Sequence, residues 1–392
     1  MFKLAVCCAA AVLLSANSAM TQTESMKTVR ARDLGVPFDG TPGPLNAITD
    51  VAGVEVGSTT LNWGEGPLRV GEGPVRTGVT VVLPRGGKDT HPAYAGWFSL
   101  NGNGEMTGTT WVEESGLLQG PIGITNTHSV GVVRDSVIQW ALRNKFVKED
   151  EWSLPVVAET WDGWLNDLNG FHVKPEHVFS ALDGAKPGPV AEGNTGGGTG
   201  MVCYGFKGGT GTASRVIAKQ DGGYTVGVLV QCNCGRRPQL TIAGVPVGKE
   251  LPLPPQQALS KMPGSEARGD VGSIIIVVGT DAPLLPHQLK RIARRASMGL
   301  ARTGSISGNS SGDIFIAFST ANPHFDDSPG PNKVDTVSND KITPLFEATV
   351  QATEEAIVNA MVGARTMTGI DGHTVQALPH EELQRLMKKY NR

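Results

Sequence analysis

Cysteine is scarce in this chain, and its placement offers no ligand set for a metal. The five cysteines are Cys7, Cys8, Cys203, Cys232 and Cys234. They form no CxxC pair and no Cys/His ligand spacing, no HExxH run occurs, and no acidic cluster takes their place. No metal and no cofactor is therefore expected. Net charge is also small, at −3, which gives no basic footprint for nucleic acid or an anionic membrane. There is no GxSxG nucleophile elbow. The glycine run 196–200 lacks the GK[ST] ending of a phosphate loop and reads as a structural turn. Cys232 and Cys234 are two apart, on one face of a strand and too close along the chain for an ordinary disulfide. Three cysteines cannot all pair, so buried, unpaired thiols are the expectation for Cys203, Cys232 and Cys234.

Glycine, in contrast, is abundant, at 51 of 392 residues, against an average of about 7%. With no collagen period, that points to many tight turns and close backbone approaches. Hydrophobic residues make up 39% and charged residues 18%, enough to bury a core and unlike a disordered chain. Residues 1–20 read as a secretory signal. Lys3 is a short positive start, Leu4 to Leu14 an apolar run too short to span a bilayer, and Ala16-Asn17-Ser18 a small-x-small cleavage site. The protein is expected to be exported, to the periplasm or beyond, and Cys7 and Cys8 would leave with the leader.

Strand signals rich in β-branched residues recur at 46–60, Thr77–Leu83, Gly123–Ile124, Val130–Val133 and Tyr224–Gln231. Residues 105–118 and 134–146 read as helices. Residues 251–270 (LPLPPQQALSKMPGSEARGD) are proline-rich and aperiodic, an exposed linker of the kind where nicking concentrates. The character then flips. Ser273–Gly279 (SIIIVVG) reads as a buried central strand, Leu284–Leu300 as a basic amphipathic helix, Ile314–Ser319 as a second buried strand, and Pro344–Val362 as a long helix. The pattern predicts a mixed α/β fold of layered sheets covered by helices.

A Gly-Ser dipeptide, Gly272-Ser273, thus sits where an exposed linker meets the core. Serine oxygen is a weak nucleophile until a base takes its proton. Cutting the chain before Ser273 would make the serine's own α-amine that base, with a pKa of about 7.7–8.0, close to what general-base catalysis requires. Glycine before it would permit the strained backbone of an N-to-O acyl shift. The plain alternative is a turn at a strand start.

Six segments carry a resemblance: NAITDVAGVEVG (46–57), TNTHSVGVVRD (125–135), PVVAETWDGWLNDLNG (155–170), VLVQCNCGRRPQLTIAGVPVG (228–248), GSIIIVVGTDAPLLPHQLKRIARRASMGLARTGS (272–305) and SGDIFIAFSTAN (311–322). In this order they resemble the L-aminopeptidase/D-esterase family, and within it the β-peptidyl aminopeptidases. The resemblance implies a four-layered αββα sandwich, N-terminal-nucleophile-like with a distinct connectivity. It also implies a precursor that cuts itself before Ser273 into an α subunit (21–272) and a β subunit (273–392), assembled as a homo-oligomer, commonly a tetramer of αβ units. Its substrates would be small peptides, amides or esters with a free N-terminal amine. β-Amino acid residues are the first expectation; L-α-residues with D-amino acid esterase or amidase activity are the alternative.

By the same resemblance Ser273 is the nucleophile, and Ser311 and Asp313 match a Ser-Gly-Glu motif with Asp in place of Glu. Asn233 would donate to the developing oxyanion, a contribution of about 3 kcal/mol in a comparable site. Glu159 would pair with the substrate ammonium, which must be compensated once it leaves water. Trp161 stands near a position where some members carry tyrosine; it cannot supply that hydroxyl and reads as an aromatic pocket wall or as core packing. His128 and His172 read as satisfied core or supporting residues, not as a triad base. Two further readings stay open at this stage, a non-catalytic exported binding protein and a conventional serine hydrolase using His128.

Overall fold

The structure is a computed structural model and describes residues 29–148, 150–258, 262–265, 272–325 and 330–392. The expected leader with Cys7 and Cys8, and the linker residues 259–261 and 266–271, lie outside the described residues.

Alternating side chains place the sheets. In a strand, successive residues point to opposite faces. In β11 (Ser273–Thr280), Ile274, Ile276 and Val278 join one apolar cluster, while Ile275 and Val277 join another. A strand buried on both faces reads as a continuous apolar run, which is why the SIIIVVG segment was legible. It lies in a six-stranded sheet built from β3 (Ala93–Gly102), β4 (Leu117–Leu118), β9 (Gly209–Val216), β10 (Thr225–Asn233), β11 and β12 (Gly312–Ser319), in the order β4-β3-β12-β11-β10-β9. β11 pairs antiparallel with β10 and parallel with β12. A second sheet holds β1 (Glu55–Trp63), β2 (Val75–Leu83), β5 (Ile122–Asn126) and β6 (Val156–Thr160), in that order. Small hairpins join β7 (Val202–Cys203) to β8 (Phe206–Lys207), and β13 (Met367–Thr368) to β14 (Thr374–Val375).

The helices are α1 (Thr109–Ser115), α2 (Val130–Arg143), α3 (Pro175–Asp183), α4 (Val247–Glu250), α5 (Pro255–Ala258), α6 (Pro286–Arg302), α7 (Thr343–Val362) and α8 (His380–Lys389). Leu289, Ile292 and Leu300 of α6 and Ala352, Ala356 and Ile357 of α7 pack on the outward residues of β11. Ile124 and Ala158 of the four-stranded sheet meet Ile275, Val277 and Ile316 between the sheets. Val79, Val81 and Val157 meet Val133, Val137 and Val178 of α2 and α3 on the far side. The layers are therefore helix, sheet, sheet, helix, the αββα sandwich that the resemblance implied. Each such fully buried Ile or Val contributes about 1.5–3 kcal/mol relative to exposure.

Four readings of local structure and pairing are corrected. The strand read over 46–60 begins only at Glu55, after a 3-10 turn at Ile48–Asp50. Val130–Val133 is the first turn of α2 and not a strand; Val130, Val133 and Val137 recur at helical spacing and pack on the sheet. The helix read over 105–118 shrinks to Thr109–Ser115, between Gly108 and Gly116, both left-handed. The three thiols are not all unpaired. Cys203 and Cys232 are bonded, with Cα atoms 5.9 Å apart, because β7 lies beside the end of β10. Pair distance in space, not spacing in sequence, decided this.

Buried charge ties distant segments together. Glu355 of α7 receives Arg32 Nε at 2.8 Å, Arg215 Nη2 at 2.7 Å and Asn46 Nδ2 at 2.6 Å. Burial alone would raise the Glu355 pKa; the Arg32 hydrogen bond and the charges of Arg215 and Arg32 outweigh it and hold the carboxyl below its ordinary value.

Candidate active site

Three adjacent strand ends bring the expected residues together. Asn233 closes β10 and is the register partner of Ser273, which opens β11. Directly opposed residues of an antiparallel pair share a face, with Cβ atoms about 4.5–5.5 Å apart. On the other side Ser273 pairs with Gly312, which opens β12, and the Gly312 N–H donates to Ser273 Oγ at 3.1 Å. One residue before, Ser311 Oγ donates to Asp313 Oδ1 at 2.6 Å, and both side chains are buried. The β12–β3 ladder slips between Asp313 and Ile314, so the backbone is irregular where this acid sits.

Gly272 needs its missing side chain for a reason that sequence reading did not give. The expectation was conformational freedom; the observation is close approach. A Cβ there would fall 2.1 Å from the Asn233 carbonyl oxygen and 2.6 Å from Cys234 Cα. The Gly272–Ser273 bond thus lies directly on the end of β10. Ser273 itself is 6% exposed in this uncleaved chain.

Asn233 is fixed at both ends of its amide. Its Oδ1 accepts from Val202 N–H at 2.7 Å, and its Nδ2 donates to the Trp161 carbonyl at 3.0 Å. An amide NH₂ carries two hydrogens, so one remains for a substrate oxygen. Trp161 therefore contributes its backbone carbonyl. Its half-buried indole lies over Gly163, where a Cβ would come 2.7 Å from the ring.

Glu159 sits at the end of β6 with its carboxylate buried. Oε1 accepts from Glu105 N–H at 3.0 Å, and Oε2 accepts from the Thr127 hydroxyl. Burial raises its pKa, and the Thr127 and Glu105 hydrogen bonds oppose the rise. It borders the serine through two glycines. A Cβ on Gly104 would meet Glu159 Oε1 at 3.3 Å and Gly312 Cα at 3.1 Å. A buried carboxylate held by neutral donors is suited to receive a cation.

The histidines take other positions. His128 is exposed and stacks on Phe171, with ring centroids 5.9 Å apart, so the reading of it as a core residue is corrected. His172 is bonded to buried Asp167 at 2.8 Å. Among the described residues no hydrogen bond joins either to Ser273. Sequence reading passed over Thr127, Val202 and Lys207. Lys207 had a signal, a lone lysine inside the apolar, glycine-dense stretch YGFKGG; the other two act through one hydroxyl and one backbone N–H, which leave none. The Cys234 sulfur lies 3.9 Å from those of both Cys203 and Cys232. All three lie within 4.8 Å of one another, but two are spent in the bond.

Chemically, the cluster offers a hydroxyl beside an acidic pair, an amide on the opposing strand, and a buried anion. That set suits acyl transfer from substrates bearing a cation. A family model described as peptidase family S58 matches residues 46–375. The β-peptidyl aminopeptidase BapA of Sphingosinicella microcystinivorans is 58% identical over 371 residues, covering 93% of each chain. BapA of Sphingosinicella xenopeptidilytica is 49% identical over 379 residues, covering 93% of this chain and 92% of that one. Among solved structures, the L-aminopeptidase D-Ala-esterase/amidase of Ochrobactrum anthropi, described as a new variant among the Ntn-hydrolase fold, matches with TM-score 0.85. It is 49% identical and covers 93% of this chain and 99% of its own. A Burkholderia sp. β-aminopeptidase matches with TM-score 0.82 at 48% identity, covering 92% and 99%.

Proposed function

The chain belongs to peptidase family S58, and on that premise we propose that it is a self-processing N-terminal-serine aminopeptidase releasing β-amino acid residues from short peptides, amides and esters. The observation that carries the reading is the junction of three strands. Ser273 opens β11 opposite Asn233, with Gly312 N–H on its hydroxyl, behind a glycine whose Cβ would collide with β10.

Processing begins with Ser273 Oγ adding to the Gly272 carbonyl. Collapse breaks the Gly272–Ser273 C–N bond, which frees the Ser273 α-amine and leaves the Gly272 acyl group as an ester on Oγ; water then splits the ester, freeing the Ser273 hydroxyl and the Gly272 carboxylate. In turnover the substrate ammonium pairs with Glu159. Ser273 Oγ adds to the scissile carbonyl while its own α-amine takes the hydroxyl proton. Asn233 Nδ2–H donates to the oxyanion, and Ser311 with Asp313 holds the amine and hydroxyl in place. The proton passes to the leaving amine, and water or a second amine releases the acyl group.

The preference for β-residues is supported by the names of the two BapA relatives; the alternative is L-α-residues with D-esterase or amidase activity, which the Ochrobactrum name supports. The same proposal includes export by a leader at 1–20, α and β subunits meeting at Gly272–Ser273, and a homo-oligomer of αβ units. Intact-mass spectrometry beside Ser273→Ala tests the core. Two fragments, one starting at Ser273, are expected from wild type and one chain from the variant. A single wild-type chain that still hydrolyses aminoacyl amides overturns the mechanism. Rates on β-alanyl, L-alanyl and D-alanyl p-nitroanilides then decide the substrate, with β-alanyl expected first.

A further inference from the structure

Lys207 is 0% exposed, and no carboxylate bonds it among the described residues. Its ammonium donates to the carbonyls of Met201 at 2.8 Å, Gly208 at 2.9 Å and, more loosely, Gly198 at 3.4 Å. An ammonium has three hydrogens and no acceptor, so three carbonyls match the charged head. Burying a cation this way is costly.

The cage leads to the site through one peptide unit. The Met201 carbonyl accepts from both Lys207 Nζ and Gly208 N–H. The N–H of that same peptide, on Val202, donates to Asn233 Oδ1 at 2.7 Å. Beyond lies Asn233 Nδ2, on the residue that pairs with Ser273, with one hydrogen on the Trp161 carbonyl and a second left to donate. Two amides therefore stand in series between a buried positive charge and the oxyanion donor. A cation on an amide oxygen polarises that amide and strengthens its N–H as a donor, and hydrogen bonds in chains reinforce one another.

The segment is also rigid. A Cβ on Gly197 would fall 2.1 Å from Gln231 Oε1, on Gly198 2.3 Å from Thr210 N, and on Gly200 2.2 Å from the Arg76 carbonyl. The glycine run that lacks a phosphate-loop ending is thus wedged between the sheets and delivers the 201–202 peptide to a fixed place. Thr160, which ends β6 beside Trp161, donates to Met201 Sδ at 2.8 Å and closes the frame.

We propose that Lys207 is a positioning residue for acyl transfer, which orients the Met201–Val202 peptide and polarises it so that Asn233 becomes a stronger oxyanion donor. Burial draws the Lys207 pKa down to about 7, opposed by the charge of Asp162. Asp162, itself buried, is drawn up to about 7, against hydrogen bonds from Thr77, Asn166 and Asn126.

The inference rests on the acyl-transfer reading above, and a double-mutant cycle separates the two. Lys207→Met, Asn233→Ala and the double variant are purified, checked for folding by thermal melts, and assayed for kcat and KM on an aminoacyl p-nitroanilide. Lys207→Met is expected to lower kcat about ten- to a hundred-fold, the range of a weakened oxyanion donor, with KM held within about two-fold. In the Asn233→Ala background the same change should cost less than about two-fold, because the donor it serves is gone. Equal losses in both backgrounds, or a loss in KM alone, overturn the proposal. Should Lys207→Met not fold, Lys207→Gln, which keeps a polar head without charge, is read by the same criteria. Should variants fold but self-process too slowly to give mature enzyme, the rate of precursor conversion by intact mass replaces kcat. A wild-type chain that neither cuts itself nor turns over removes the acyl-transfer reading; an active wild type with unchanged Lys207 variants removes only this inference.

Discussion

The Ser273 hydroxyl accepts from the Gly312 N–H at 3.1 Å while Ser311, one residue earlier, donates to Asp313 at 2.6 Å. The proposed nucleophile and the acidic pair are therefore coupled through one backbone residue, Gly312.

That coupling predicts the behaviour of Asp313. Asp313→Asn removes the charge that would hold the Ser273 amine and hydroxyl, and kcat is expected to fall about ten- to a thousand-fold with KM little changed, the scale of lost acid–base and electrostatic support. Asp313→Glu lengthens the carboxylate by one methylene and should retain more activity than Asp313→Asn. Steady-state kinetics on both variants checks the order, and a reversed order would show that charge at this position is not what matters.

Gly272→Ala tests the close approach. The new methyl would meet the Asn233 carbonyl at 2.1 Å, so β10 and the Gly272–Ser273 bond must separate. Slower self-cleavage and a loss of about 1–3 kcal/mol of stability are expected. Time-resolved intact mass and urea melts read both, and unaltered cleavage would mean that the approach relaxes without consequence.

Glu159 carries opposite signs for function and stability. Its pKa is raised, chiefly by burial, so its ionised form is the one that folding disfavours. The stability it contributes is present below the ordinary carboxylate pKa of about 4.3 and is lost as pH rises through the raised value. Glu159→Gln should therefore raise the melting temperature at neutral pH, with the gain vanishing in acid. Substrate binding runs the other way. KM should rise at least about ten-fold in the variant, and wild-type KM should climb as acid protonates the carboxyl. A variant with unchanged KM for a free-amine substrate removes Glu159 from ammonium recognition.

Glu355 gives the contrasting case. Burial pushes its pKa up, but Arg32 and Arg215 hold it below the ordinary value. Its stabilisation is present above about pH 4.3 and is lost as pH falls through the depressed value. Glu355→Ala leaves Arg215 buried and uncompensated, and about 3–5 kcal/mol should be lost at pH 7. Chemical denaturation at pH 7 and in acid checks both size and sign; an equal loss at both would contradict the ionic account.

The layered fold was legible because β11 and β12 announce themselves as continuous apolar runs and α6 as a stripe at helical spacing. Ser273 stood out as a candidate because a linker, a glycine and such a run meet there in the sequence. The chain Lys207–Met201–Val202–Asn233 was not, since its links are carbonyls and N–H groups that every residue owns. The bond between Cys203 and Cys232 escaped for a related reason, because the hairpin that brings Cys203 to β10 has strands of only two residues each.

The order of the six-stranded sheet has one more consequence. β11 and β12 lie between β10 on one side and β3 on the other, so a cut at Gly272–Ser273 leaves the two strands of the later piece interleaved with those of the earlier. The intact chain folds as a first-order process. After the cut, the same structure can be regained only by an encounter of two molecules. Recovery of a cut chain from denaturant should then depend on dilution, and that of an uncut chain should not.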